Sequence, residues 1–72
     1  MNFTRELRYG MSGEDVFYIK KILFSLGYYE KTGITSIKTK TYGGDTRAAV
    51  KYFQSKHDCE PTGIIDQLTW DW

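Results

Sequence analysis

Apolar residues recur along the chain in two helical stretches separated by a polar, β-branched segment. Val16, Ile19, Leu23 and Leu26 follow one another at three- and four-residue steps, the spacing of one apolar stripe on an amphipathic helix. Phe17 and Phe24 widen that stripe onto a neighbouring face. Ser12 offers an N-cap hydroxyl, Glu14 and Asp15 put acids in the first turn, and Gly27 stands where a helix ends with a positive φ. The pattern predicts a helix over about residues 13–26. A second helix is predicted after Gly43-Gly44, capped by Asp45 or Thr46, with Ala49, Val50 and Phe53 as its stripe. It should fade near Lys56-His57-Asp58, and Pro61 and Gly63 mark a turn beyond it. A short third helix is expected from Asp66 through Leu68 toward Trp70, with Asp66 as its cap. Between the first two helices, the β-branched stretch Ile34 to Tyr42 suggests a short hairpin.

The two long helices resemble each other. Ser12, Val16, Ile19 and Lys20 recur as Thr46, Val50, Phe53 and Gln54 at the same offsets, and glycines precede both copies. This describes a duplicated loop-helix unit: two amphipathic helices that cover each other and a short third that closes the core. The fold class expected is mainly α, a small three-helix bundle forming a single domain over residues 1–72.

Charge and composition narrow the possible functions. Ten Lys and Arg against nine Asp and Glu leave a net charge of +1, without the basic excess that phosphate-driven nucleic-acid binding needs. No apolar run approaches the length of a membrane span. Cys59 is the single cysteine, so an internal disulfide is impossible. His57-Asp58-Cys59-Glu60 gathers groups able to hold a metal or act in catalysis, but lacks the paired spacing of a zinc site. No metal, cofactor or catalytic residue is expected. Aromatic residues are 17% of the chain, more than a small core absorbs, and exposed Tyr and Trp are common contact residues of binding modules.

Four ordered blocks carry a family resemblance. Leu7, Gly10, Gly13, Asp15, Val16 and Ile19 form the first, Leu26-Gly27-Tyr28 the second, Tyr42-Gly43 with Thr46, Ala49-Val50 and Phe53-Gln54 the third, and Gly63 with Thr69-Trp70 the fourth. In this the chain resembles the peptidoglycan-binding domains of the PGBD-like superfamily, three-helix modules attached to bacterial and phage cell-wall hydrolases. It departs from the family at Lys20, where glutamine is usual, at Thr62 and Asp66, and in a longer segment from Glu30 to Thr41.

The resemblance implies a non-catalytic module that binds peptidoglycan and is attached to a catalytic domain. It implies a bacterial cell-wall or extracytoplasmic setting, or a phage lysin acting on the wall. A monomer with neither nucleic-acid nor membrane partners is expected, excised from a larger hydrolase such as an autolysin or endolysin. The alternative is a docking or regulatory domain that packs against its parent enzyme or another protein. Candidate ligand-binding residues are Tyr28, Tyr29, Tyr42, Gly43, Asp45, Arg47 and Trp70. Aromatic platforms suit sugar faces, and polar or basic groups suit amides and carboxylates. Several residues also have a plain structural reading. Tyr28 reads first as a partly buried cap residue, Trp70 as core, Arg47 as part of a solvated face and Gln54 as a structural hydrogen-bonder. Tyr29 is the strongest candidate for an exposed platform. Lys31, Lys38 and Lys40 make the long segment basic, which reads first as an ordinary solvated edge.

Overall fold

The computed structural model describes residues 2–70, the side chain of Lys31 excepted. The chain runs through α1 (Glu14–Ser25), a 3₁₀ turn (Glu30–Thr32), α2 (Gly44–Lys56) and α3 (Gln67–Trp70). α1 and α2 pack on each other, and the core comprises Leu7, Val16, Leu23, Tyr29, Tyr42, Ala49, Val50, Phe53 and Ile65. The predicted three-helix architecture is therefore present. No helix among the described residues is long and apolar enough to cross a membrane.

Helix ends differ from the sequence reading in instructive ways. Gly13, not Ser12, occupies the N-cap of α1. Ser12 instead forms an antiparallel bridge with Thr41, which draws its backbone out of the helix. Asp15 serves the helix start: its Oδ1 accepts the Val16 N–H at 2.9 Å, and Arg5 clamps the carboxylate with Nε at 2.8 Å and Nη2 at 3.1 Å. The Arg5 guanidinium holds the Asp15 carboxyl below the usual carboxylate range. Gly43 likewise takes the N-cap of α2, leaving Asp45 in the first turn and Thr46 buried inside the helix. Asp66 does cap α3, its Oδ1 accepting the Thr69 N–H at 2.9 Å. Leu26 lies past the last turn of α1 and is 60% exposed. Gly27, at φ 89°, turns the chain so that Tyr29 rather than Leu26 enters the core.

The segment from Tyr28 to Gly43 forms no hairpin. Its backbone pairs across to the loop before α1: Gly13 N–H donates to Lys40 O, Tyr42 N–H to Met11 O and Gly10 N–H to Tyr42 O. A second contact of this kind joins Leu7 and Ile65. β-Branched content correctly signalled extended backbone, but the partner strand lies elsewhere in the chain.

The duplication is visible in the polar core. Lys20 and Gln54, four residues after Val16 and Val50, are both buried. Lys20 Nζ donates to Thr39 O at 3.0 Å, Thr39 Oγ1 at 2.9 Å and Thr41 O at 2.8 Å. Those three acceptors match the three protons of an ammonium group, which is why lysine can stand at a buried helix position here. Gln54 Nε2 donates to Ile64 O at 2.9 Å and Thr69 Oγ1 at 3.2 Å, while its Oε1 accepts the Gly63 N–H at 3.0 Å. Each helix thus anchors the loop that follows it through one polar side chain. Among the described residues, no buried side-chain nitrogen or oxygen lacks a partner. The Ser12–Thr46 correspondence is not structural, since Ser12 lies outside α1 and Thr46 inside α2.

Candidate functional site

The candidate residues fall on three different parts of the surface and core. Tyr29 and Tyr42 are each 1% exposed, so neither is a platform. Their hydroxyls point inward, Tyr29 donating to Thr46 Oγ1 at 2.8 Å and Tyr42 to the Gly63 carbonyl. A small domain short of aliphatic core residues fills its centre with these rings and satisfies each phenol internally. This corrects the expectation of ligand contact at both positions.

Burial shifts their acid chemistry. Desolvation raises the Tyr29 phenol to about 12, with the Asp45 charge adding to the rise and the Thr46 hydrogen bond opposing it. Burial raises Tyr42 further. Because both folded-state values lie above the unfolded one, the stability they contribute is complete below about pH 10 and is lost as pH rises through about 12. Alkaline titration with tyrosinate absorbance and circular dichroism should therefore show Tyr29 and Tyr42 ionising only with loss of helix. Tyr29→Phe and Tyr42→Phe variants assign the signals. Ionisation of both near pH 10 with intact helix would contradict their buried placement.

Two clefts that hold charged side chains use different faces of α2. Asp45, Ala48 and Tyr52 succeed one another at three- and four-residue steps and so share one helix face. With Tyr28 and Thr32 they line a cleft of about 580 Å³. Tyr28 stands edge-on to Tyr52, centroids 5.4 Å apart, and to Phe53 at 5.2 Å. Half-buried Tyr28 is thus both a core-flanking residue and a wall of the cleft. Asp45 Oδ1 accepts the Thr46 N–H at 2.8 Å, which orients the carboxylate at this opening. Arg47 belongs to a second cleft of about 340 Å³, with Arg8, Tyr9, Thr62, Gly63 and Ile64. Gly43, half-buried, is the N-cap between the Tyr42 core position and the start of α2.

Trp70 belongs to neither cleft. It stacks on Tyr18 with centroids 5.9 Å apart and lines an apolar groove of about 380 Å³ with Ile22, Leu26 and Phe53 among others. Lys40 pairs with Glu14, and Lys38 is exposed; the side chain of Lys31 lies outside the described residues. His57 packs its ring against Phe53 at 4.4 Å, and Cys59 is half-buried at the exit of α2. Among the described residues, no three His, Cys, Asp or Glu side chains come together to hold a metal. Arg8, Tyr9, Thr32 and Tyr52 are lining residues that sequence reasoning missed. Tyr52 had a readable signal, standing seven residues after Asp45 on the same helix face.

A family model described as "Putative peptidoglycan binding domain" matches residues 12–72. Solved structures share the fold. A peptidoglycan-binding protein from Clostridioides difficile, crystallised with glutamine hydroxamate, is 35% identical with a TM-score of 0.80, over 94% of this chain and 39% of that one. The Burkholderia AP3 phage endolysin is 34% identical with a TM-score of 0.77, over 93% of this chain and 24% of that one. The SleB N-terminal domain is 25% identical with a TM-score of 0.83, over 97% of this chain and 90% of that one. The chain thus spans well under half the length of the first two. No curated protein matches it.

Proposed function

The chain belongs to this peptidoglycan-binding domain family, and on that premise we propose that it is a non-catalytic module holding an attached cell-wall hydrolase on bacterial peptidoglycan. Its place of action is the wall, outside the cytoplasm. The similarity to part of a phage endolysin supports an attached catalytic domain. Tethering converts the enzyme's next encounter with the wall into an intramolecular one, so a weak module suffices.

The observation that carries the reading is the cleft lined by Tyr28 and Tyr52, whose rings meet edge to face, beside Asp45. Two aromatic walls meet a carboxylate at Asp45 and the side chain of Thr32. Aromatic faces cover the C–H faces of sugars, while a carboxylate accepts from sugar hydroxyls or the N-acetyl amide N–H. Asp45 is the oriented acceptor of this cleft; Tyr28 and Tyr52 supply its contact area. Tyr29 and Tyr42 support this wall from the core without touching ligand.

Co-sedimentation with insoluble peptidoglycan tests the reading. The wild-type domain is expected to bind saturably, and Tyr52→Ala to bind about tenfold more weakly, the loss expected for about 1.4 kcal/mol of aromatic contact. A helical circular dichroism spectrum and a cooperative melt certify folding of the variant. Equal binding by folded wild type and Tyr52→Ala would remove the cleft from the account.

The docking alternative has its own observation. Ile22 at 38% exposure and Leu26 at 60% line the apolar groove beside Trp70. Protection of that groove by an attached catalytic domain, without wall binding by the isolated domain, would favour it.

A further inference from the structure

The second cleft carries a chemistry that the first lacks, two guanidinium groups. Arg47 is exposed, and among the described residues no carboxylate lies within ion-pair distance of it. Its stem is nevertheless held in place. Gly63, at φ 79°, lies beneath it, and a Cβ there would come within 3.1 Å of Arg47 Cγ and 3.4 Å of Nε. Glycine at this position both takes the left-handed conformation and leaves room for the arginine. Arg8 also lines the cleft; among the described residues its acidic partner is Glu6, at 2.7 Å, in a pair whose side chains are both about half exposed. Such a pair holds little energy and yields readily to a better anion. Tyr9, 65% exposed, supplies a flat face alongside.

The backbone around Gly63 is already committed. Its N–H donates to Gln54 and its carbonyl accepts from Tyr42, while the Ile64 carbonyl accepts from Gln54 and the Ile64 N–H donates to Thr62 Oγ1. Recognition there falls to side chains, chiefly two guanidinium groups and a phenol, and among the described residues no acidic side chain lines the cleft. That donor set selects an oxyanion, and guanidinium forks match a carboxylate through paired hydrogen bonds.

We propose that the Arg8–Arg47 cleft binds a carboxylate of the peptidoglycan stem peptide, with Tyr9 against the neighbouring peptide atoms. This rests on the wall-binding reading and divides the labour across α2: sugar on the Asp45 face, peptide carboxylate on the Arg47 face. The same charge would attract the phosphates of teichoic polymers, so the test separates the two sources.

Co-sedimentation of the 72-residue chain is measured on three preparations: whole wall, wall stripped of teichoic polymers, and stripped wall whose stem peptides have been removed by an amidase and whose freed lactyl carboxylates have been capped as amides. Arg47→Met keeps the apolar stem over Gly63 and removes the guanidinium; Arg8→Met is its companion. Wild type should bind stripped and whole wall alike, and about tenfold more weakly once the peptides are gone. Arg47→Met should lose about tenfold on stripped wall and nothing further on peptide removal, with its urea midpoint near that of wild type. Full binding by folded Arg47→Met, or indifference of wild type to peptide removal, would overturn the proposal. Binding present on whole wall but lost on stripping would assign the cleft to phosphate and overturn the carboxylate. Absence of wild-type binding to every preparation would instead defeat the wall-binding reading, and this proposal with it.

Discussion

Tyr42→Ala is expected to remove most of the domain's stability. The ring is 1% exposed and sits at the centre of the core, and its hydroxyl satisfies the Gly63 carbonyl. Truncating a buried aromatic to alanine costs about 3–5 kcal/mol through lost transfer energy and the cavity left behind. The orphaned carbonyl adds about 1–3 kcal/mol. A domain of 72 residues has a total stability of only about 4–11 kcal/mol to lose. Tyr42→Phe keeps the ring and forfeits only the hydrogen bond, so it should stay folded with a loss of about 1–2 kcal/mol. Urea unfolding followed by circular dichroism measures both. A loss below about 1 kcal/mol for Tyr42→Ala would mean that the ring is not in the core.

The second large effect is expected at Gln54. Gln54→Leu preserves much of the side-chain volume but strips hydrogen bonds from the Gly63 N–H, the Ile64 carbonyl and the Thr69 hydroxyl at once. The Gly63 N–H and the Thr69 hydroxyl are buried beside Gln54, itself 1% exposed, and the Ile64 carbonyl is partly buried. Unmade buried bonds cost more than made ones gain, so a loss of about 3 kcal/mol is expected. For a domain of this size that lowers the melting temperature by about 12–24 °C. Hydrogen exchange at the Gly63 amide should accelerate more than at Leu7 or Ile65, because Gln54 anchors that loop directly. A melting temperature within a few degrees of wild type would show that the loop holds itself without Gln54.

The helices were legible in the sequence because their signals are local. Three- and four-residue steps set the apolar faces of α1 and α2, and Gly27 ends α1 without reference to the rest of the fold. The recurrence of Lys20 as Gln54 pointed to a shared role, although the bonds themselves require Thr39, Thr41 and the Gly63 loop to be brought close. What escaped was set by tertiary pairing. The extended stretch before Tyr42 pairs with residues 10–13, and alternation within one segment does not identify its partner. Tyr28 and Tyr29 are neighbours of identical chemistry, and only the turn at Gly27 decides which of them enters the core. The Arg8–Arg47 cleft is assembled from three separated segments, so neither arginine announces the other. Asp45, Ala48 and Tyr52 share a helix face within reach of periodicity, but their mixed polar and aromatic chemistry gives a weaker signal than the apolar stripe of Ala49, Val50 and Phe53 beside it.

The measurement that most directly tests peptidoglycan recognition on the two polar faces of α2 is an amide NMR titration with soluble muropeptides. Shifts are expected only in residues 8–9, 28–32, 45–52 and 62–64, with the Tyr18, Ile22 and Leu26 amides unmoved. No shifts from a folded sample, or shifts centred on Tyr18, Ile22 and Leu26, would contradict it.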